Sequence, residues 1–402
     1  MRSRLRSALA NAALVVASII VALLLCEAGL RVIDFSYPSF YLPDAQLGLR
    51  LRPNASGWYR AEGEAFVTIN SAGFRDRERS VVKPASTLRI AVLGDSMMEA
   101  LQVDLEASFA ALLERQLAAC AAFDGRKIEV LNFGVAGYGT AQQLLTYRYY
   151  AARYAPDLVV LSFFPGNDVR NNSKALEPEK TRPFFVLNEG QLVEDGSFAG
   201  SAEFRRRTNL LRSTLDRLRW VRLVQAAYFI KDRLEQRAAG AAALATQQGY
   251  EAGIDGAVYA QPATPQWRDA WTVTERLLEK LRDEVHASGA KLVLLSLSTG
   301  IQEHPDVSVR DAFVRAQGIE DLYYPNRRID AWAAQLGVPT ISLWQSFEAI
   351  ARKDRVYFRG FPNTRMGTGH WNETGHRLAA QLTSEALCRA EPIAPRSTGT
   401  DR

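Results

Sequence analysis

The stretch Leu88-Arg89-Ile90-Ala91-Val92-Leu93-Gly94-Asp95-Ser96 decides how this chain is read. Its first six residues are almost uniformly apolar, as in a strand covered on both faces of a parallel sheet. The run stops at Gly94-Asp95, and Ser96 opens a helical stretch. A serine so placed lies at the carboxyl edge of a sheet, where open α/β folds bind ligands. A helix start behind it favours developing negative charge. Taken alone, the triplet equally suits a serine that caps a helix.

Outward from this stretch, strand-like and helix-like segments alternate. Ala107–Cys120 carries Phe109, Leu112, Leu113 and Leu117 on one helical face, and Ile128–Asn132 is the next strand. A Leu- and Tyr-rich helical stretch runs to Arg153, followed by the apolar strand Asp157–Phe164. Amphipathic Trp267–Ala287 precedes the strand Lys291–Ser298. A helix around Ile329–Gln335 leads to Val338–Leu343, and Gly375–Cys388 closes the pattern. This alternation predicts a parallel sheet with helices on both faces.

Three further segments carry possible chemistry. Asn132-Phe133-Gly134-Val135-Ala136-Gly137-Tyr138-Gly139 follows the second strand, and its glycines let a backbone N–H approach a substrate oxygen. It also reads as a plain turn. Phe164-Pro165-Gly166-Asn167-Asp168 follows the third strand; the Asn167 amide can donate to an oxyanion or simply close a turn. Gly369-His370-Trp371-Asn372-Glu373-Thr374-Gly375-His376 precedes the last helix and holds two of the four histidines. A histidine that reaches Ser96 would act as general base. His376, at the helix start, reads as a packing or capping residue.

In their order and placement these segments resemble the SGNH (GDSL-type) hydrolases, over roughly Leu88–Asp168 and Lys291–Cys388. The pieces around Gly48, Pro53-Asn54 and Asn70-Ser71-Ala72-Gly73-Phe74-Arg75-Asp76 resemble membrane-anchored bacterial members. The resemblance implies a flavodoxin-like three-layer α/β/α sandwich with a parallel sheet. It makes Ser96 the nucleophile and His370 the base, with Ser96, Gly137 and Asn167 forming the oxyanion hole. The reaction expected is hydrolysis of an acyl ester, such as an acylated carbohydrate of the cell envelope, without metal or organic cofactor. O-acyl transfer to an envelope polysaccharide is the alternative within that chemistry. In the implied sandwich, the first and last sheet helices lie side by side and end on the same side of the sheet. Cys120 and Cys388 are then placed to form a disulfide.

The chain departs from the family at the triad acid. That Asp stands two or three residues before the His; here the positions hold Thr368 and Gly367, and no acid occurs between Arg355 and His370. Three possibilities stay open: a backbone carbonyl near 367–368 orients the imidazole, a carboxylate elsewhere substitutes, or the protein is a non-catalytic glycan-binding scaffold.

The rest of the chain sets the compartment. Arg2, Arg4 and Arg6 precede an apolar run from Ala8 to Cys26, about 28 Å as a helix and close to the roughly 30 Å bilayer core. The basic flank stays cytoplasmic, so the chain after Glu27 is expected on the periplasmic face of a bacterial inner membrane. A cleaved signal peptide would have a shorter apolar run, and Leu25 is too bulky for lipidation at Cys26. The expected organisation is an anchor over 1–35, a β-hairpin lead-in over 36–87, a hydrolase domain over 88–390 with a helical insertion at 171–265, and a disordered tail over 391–402. The insertion predicts a basic amphipathic helix with Leu211, Leu215, Leu218, Val221 and Tyr228 at helical spacing; Arg205 to Arg237 holds ten basic and three acidic residues. That surface reads as a solvated cap or as a face toward anionic lipid or glycan.

Composition excludes other classes. With 402 residues, 47% hydrophobic and 23% charged, the whole is neither disordered nor a small disulfide scaffold. A net charge of +5, with no zinc-type cysteine pairs and no Walker loop, gives no sign of nucleic-acid binding.

Overall fold

The structure is a computed structural model. It describes residues 2–389 except 124, 210–213, 215, 247–249 and 252. The tail at 391–402 therefore lies outside the described residues, as do Leu211 and Leu215.

The expected strands form one five-stranded, wholly parallel sheet: β5 (Thr87–Leu93), β6 (Lys127–Asn132), β7 (Leu158–Phe163), β10 (Lys291–Ser296) and β11 (Thr340–Ser342). Across the sheet the order is β11-β10-β7-β5-β6. Numbered by their succession within the sheet, the strands run 2-1-3-4-5, the flavodoxin-like arrangement, with its switch point between β5 and β7. Alternate residues serve opposite faces, because a strand repeats every two residues. Leu88, Ile90 and Val92 pack with Phe109, Leu113 and Leu117 of α3 (Phe109–Ala118) and with Ala379, Ala380 and Leu387 of α12 (Glu373–Arg389). Ala91, Leu93, Val159 and Leu161 face α4 (Thr140–Tyr149) and α8 (Pro265–Ala287) through Leu144, Trp271 and Leu277. Helices thus cover both faces, giving the three-layer sandwich.

Before the sheet, residues 36–87 fold as two β-hairpins, β1–β2 (Tyr41–Asp44 with Gly48–Leu51) and β3–β4 (Ser56–Tyr59 with Ala65–Thr68). A further hairpin, β8–β9 (Phe184–Asn188 with Gln191–Asp195), lies within the 171–265 insertion. The chain separates into two compact units: Met1–Ser39 with Thr208–Thr246, and Phe40–Arg207 with Gln247–Arg402. In the first unit, α1 (Arg2–Val32) contains a 24-residue stretch, Leu9–Val32, long and apolar enough to cross a membrane.

Two expectations are corrected. The basic amphipathic helix does not run through Leu218 and Val221; α7 starts at Arg222 and extends to Thr246. The Glu27 carboxylate accepts the Arg222 and Leu223 N–H groups at 3.1 and 2.9 Å and so fixes the first turn there. The helix at Ser96, α2 (Ser96–Glu99), is a single turn and brings local N–H groups rather than a long macrodipole.

Cys120 lies just beyond α3, and Cys388 lies in α12, which packs beside α3. They form a disulfide with Cα atoms 6.2 Å apart, as expected. The bond closes a separation of 268 residues, and such a crosslink stabilises a fold by about 2–4 kcal/mol, chiefly through the unfolded chain. Cys120→Ser should therefore lower the melting temperature of the detergent-solubilised protein by several degrees; an unchanged melting temperature would contradict this role.

Candidate active site

Ser96, Gly137, Asn167 and His370 line one cavity of about 310 Å³ at the carboxyl edge of the sheet. Ser96 follows β5 and Asn167 follows β7, so the cavity opens at the topological switch point.

The Ser96–Gly137–Asn167 side of the cavity is held by buried polar groups. The Asp95 carboxylate caps the serine turn, accepting the Met97 N–H at 2.9 Å and the Asn167 Nδ2 donor at 3.2 Å. Its burial raises its pKa. Gly137 has φ +76°, a conformation that strains any L side chain. Both neighbours of its N–H are tied. The Ala136 N–H goes to Glu99 at 3.1 Å, and the Gly137 carbonyl accepts from Asn171 Nδ2 at 3.1 Å and Arg182 at 2.6 Å. Burial pushes Glu99 up to about 7 despite its hydrogen bonds from Tyr41 and Ala136.

The acceptor on His370 is Glu62, in the turn between β3 and β4. One Glu62 oxygen is hydrogen-bonded to His370 Nδ1, and the other accepts the His370 backbone N–H at 2.8 Å. Burial would raise the Glu62 pKa and lower that of His370. The hydrogen bond and opposite charge between them outweigh burial, so Glu62 is lowered and His370 raised. Asn363 fixes the turn by accepting the Gly63 N–H at 2.9 Å and donating to the Gly63 carbonyl at 3.0 Å. Gly369 makes the room: its φ is +79°, and a Cβ there would run into the Glu62 carboxylate.

Further buried groups brace the histidine loop. Glu251 accepts the Gly369 N–H at 2.7 Å, and Arg359 donates to the Gly369 carbonyl at 2.8 Å. Arg359 is paired with buried Glu303 at 2.8 Å. His376, by contrast, is buried behind the site with its ring edge-on to Trp371. Burial pulls its pKa down to about 3, so it stays neutral and structural.

Sequence reasoning missed Glu62, Glu251, Glu99 and Arg182. Glu62 stands 308 residues from His370 in a turn that also holds Glu64. The one local signal was Gly369 directly before the histidine, a place where a foreign carboxylate can approach. Among the described residues, no group of three or more His, Cys, Asp or Glu side chains is arranged to hold a metal ion.

The chain belongs to the GDSL-like lipase/acylhydrolase family, whose model matches residues 92–378. Its chemistry is that of a hydrolase acting on acyl ester bonds. Among solved structures, it is similar to an acetyl xylan esterase, AlAXEase, at 13% identity, covering 75% of this chain and 100% of that one with a TM-score of 0.39. It is also similar to the acetylxylan esterase Axe2 from Geobacillus stearothermophilus, at 12% identity, 78% and 100% coverage and a TM-score of 0.39. A protein of the G-D-S-L family from Desulfitobacterium hafniense gives 10% identity, 75% and 100% coverage and a TM-score of 0.35. A search of curated proteins finds no match.

Glu62→Gln should leave the fold intact and reduce kcat by about 10²–10⁴-fold, because the amide cannot stabilise the imidazolium. A base acts only when neutral, so for His370 in that role the raised pKa should put the acidic limb of the kcat/KM profile above the ordinary histidine value of about 6.5. In Glu62→Gln that limb should move to lower pH. An unchanged rate and limb would remove Glu62 from the site's chemistry.

Proposed function

We propose that the protein is a membrane-anchored serine esterase acting outside the cytoplasm on short acyl esters of a carbohydrate. Ser96 Oγ attacks the ester carbonyl while His370 Nε2 takes its proton. Glu62 holds Nδ1–H and balances the imidazolium. The Ser96 and Gly137 N–H groups and Asn167 Nδ2 receive the negative charge of the tetrahedral intermediate. His370 returns the proton to the leaving alcohol, giving an acyl-Ser96 enzyme. A water deprotonated by His370 then releases the acid and restores the serine. The observation that carries this reading is the meeting of Ser96, Gly137, Asn167 and the Glu62–His370 pair at one cavity.

The cavity walls favour a short acyl group and a polar alcohol. Met97, Phe164 and Ile254 are apolar, whereas Arg170 and, from the start of the insertion, Glu177, Glu179 and Arg182 are charged. A volume near 310 Å³ lies at the small end for ligand pockets and suits one sugar unit better than a long chain. The site needs no metal or organic cofactor for these steps. The Glu62 pair weighs against a non-catalytic scaffold; transfer to an acceptor sugar would use the same acyl-enzyme.

The compartment rests on the Arg2, Arg4 and Arg6 flank of the apolar helix and on the Cys120–Cys388 disulfide, which an oxidising space preserves. A reporter active only outside the cytoplasm, fused after residue 40, should be active; activity of a cytoplasm-only reporter there would reverse the topology.

A serine-directed fluorophosphonate should label Ser96. Ser96→Ala should abolish both the label and hydrolysis of p-nitrophenyl acetate while leaving the melting temperature within a few degrees. Hydrolysis by a folded Ser96→Ala protein would contradict the assignment. An acetylated xylooligosaccharide should be cleaved with a higher kcat/KM than p-nitrophenyl palmitate; the opposite order would point to a lipid ester.

A further inference from the structure

In the unit formed by Met1–Ser39 and Thr208–Thr246, one face of α7 is spoken for and the other is bare. Gln225, Phe229 and Asp232 form the inner face. The Tyr37 N–H donates to Gln225 at 2.9 Å, its hydroxyl donates to Asp232 at 2.9 Å, and Phe229 meets the Phe35 and Tyr37 rings edge-on. At about 100° per residue, Leu223, Ala227, Ile230 and Leu234 fall within roughly 60° of one another on the opposite side. Ile230 and Leu234 are 57% and 59% exposed, an apolar stripe facing away from the unit. Arg222 and Arg233 flank it on one side and Lys231 on the other.

Three observations say what covers the stripe. The helix begins on the Glu27 carboxylate, five residues before the apolar span ends at Val32, so α7 starts where the span would leave a bilayer. Trp220, just before α7, is 65% exposed, with the Arg31 guanidinium 5.8 Å from its ring; tryptophan and arginine mark membrane interfaces. The surrounding sequence is strongly basic, ten to three between Arg205 and Arg237. An apolar stripe between basic flanks is the pattern of a helix lying in the headgroup layer of an anionic bilayer.

We infer that α7 is an interfacial helix, with Leu223, Ala227, Ile230 and Leu234 dipping into an acidic phospholipid surface beside the anchor. The inference rests on the reading of α1 as a membrane span. Held in this way, the α7 segment ties a second point of the chain, more than 180 residues from the anchor, to the membrane surface.

The test uses the full chain, one copy per nanodisc, with Cys26→Ser and a single engineered cysteine carrying an environment-sensitive fluorophore. Ile230→Cys and Leu234→Cys report the stripe, Tyr228→Cys reports a side away from it, and Leu14→Cys reports the apolar span. In phosphatidylcholine discs containing phosphatidylglycerol, lipids brominated near the carbonyls should quench positions 230 and 234 at least twofold more than 228. The excess should shrink in pure phosphatidylcholine at high salt. Quenching at 230 and 234 no greater than at 228, with position 14 quenched by deeply brominated lipid, overturns the inference and keeps the anchor. No quenching at position 14 overturns the anchor itself. Equal quenching in neutral lipid at high salt overturns the electrostatic part and leaves a purely apolar contact.

Discussion

The site depends on one hydrogen-bonded carboxylate–imidazole pair between distant parts of the chain, Glu62 with His370. A half-buried histidine beside Arg359 and a serine turn tends to stay neutral and unoriented: desolvation and the guanidinium both lower its pKa. The carboxylate reverses that balance. It fixes the tautomer by taking Nδ1–H and ties down the loop by taking the His370 backbone N–H. Much of the surrounding structure serves this contact. Gly369 clears its space, Asn363 pins the turn that delivers it, and Glu251 and Arg359 hold the Gly369 peptide from either side.

This arrangement brings the N-terminal hairpins to the cavity rather than leaving them a mere spacer before the sheet. Tyr41 donates to Glu99, Glu99 fixes Ala136, and Tyr138 donates to the Leu49 carbonyl at 2.6 Å. The Gly137 loop is therefore braced by the first hairpin, the histidine by the second, and the Gly137 carbonyl by Arg182 of the insertion. Segments outside the sandwich supply both orientation and shape to a cavity whose Ser96, Gly137, Asn167 and His370 come from the sandwich itself.

The sandwich was legible because its strands are buried on both faces and read as unbroken apolar runs, and because Ser96, Gly137, Asn167 and His370 each sit just past such a run or before the closing helix. The disulfide followed from the same layout. Glu62 was not legible: a glutamate in a polar turn looks the same whether it meets solvent or a histidine, and only long-range packing tells Glu62 from Glu64. The start of α7 was hidden for the same reason. The periodicity through Leu218 and Val221 was real, but the group that fixes the first turn, Glu27, lies almost 200 residues away.

The central claim is that Glu62 sets the protonation of His370. Titrating the His370 imidazole directly, by its carbon-bound ring protons in an NMR pH series on the folded protein, tests it without reference to turnover. In the native protein the His370 pKa should lie above the ordinary value of about 6.5. In Glu62→Gln, where burial outweighs the remaining opposing charge of Asp95, it should fall below that value. A native pKa at or below 6.5, or one that Glu62→Gln leaves in place, would contradict the account.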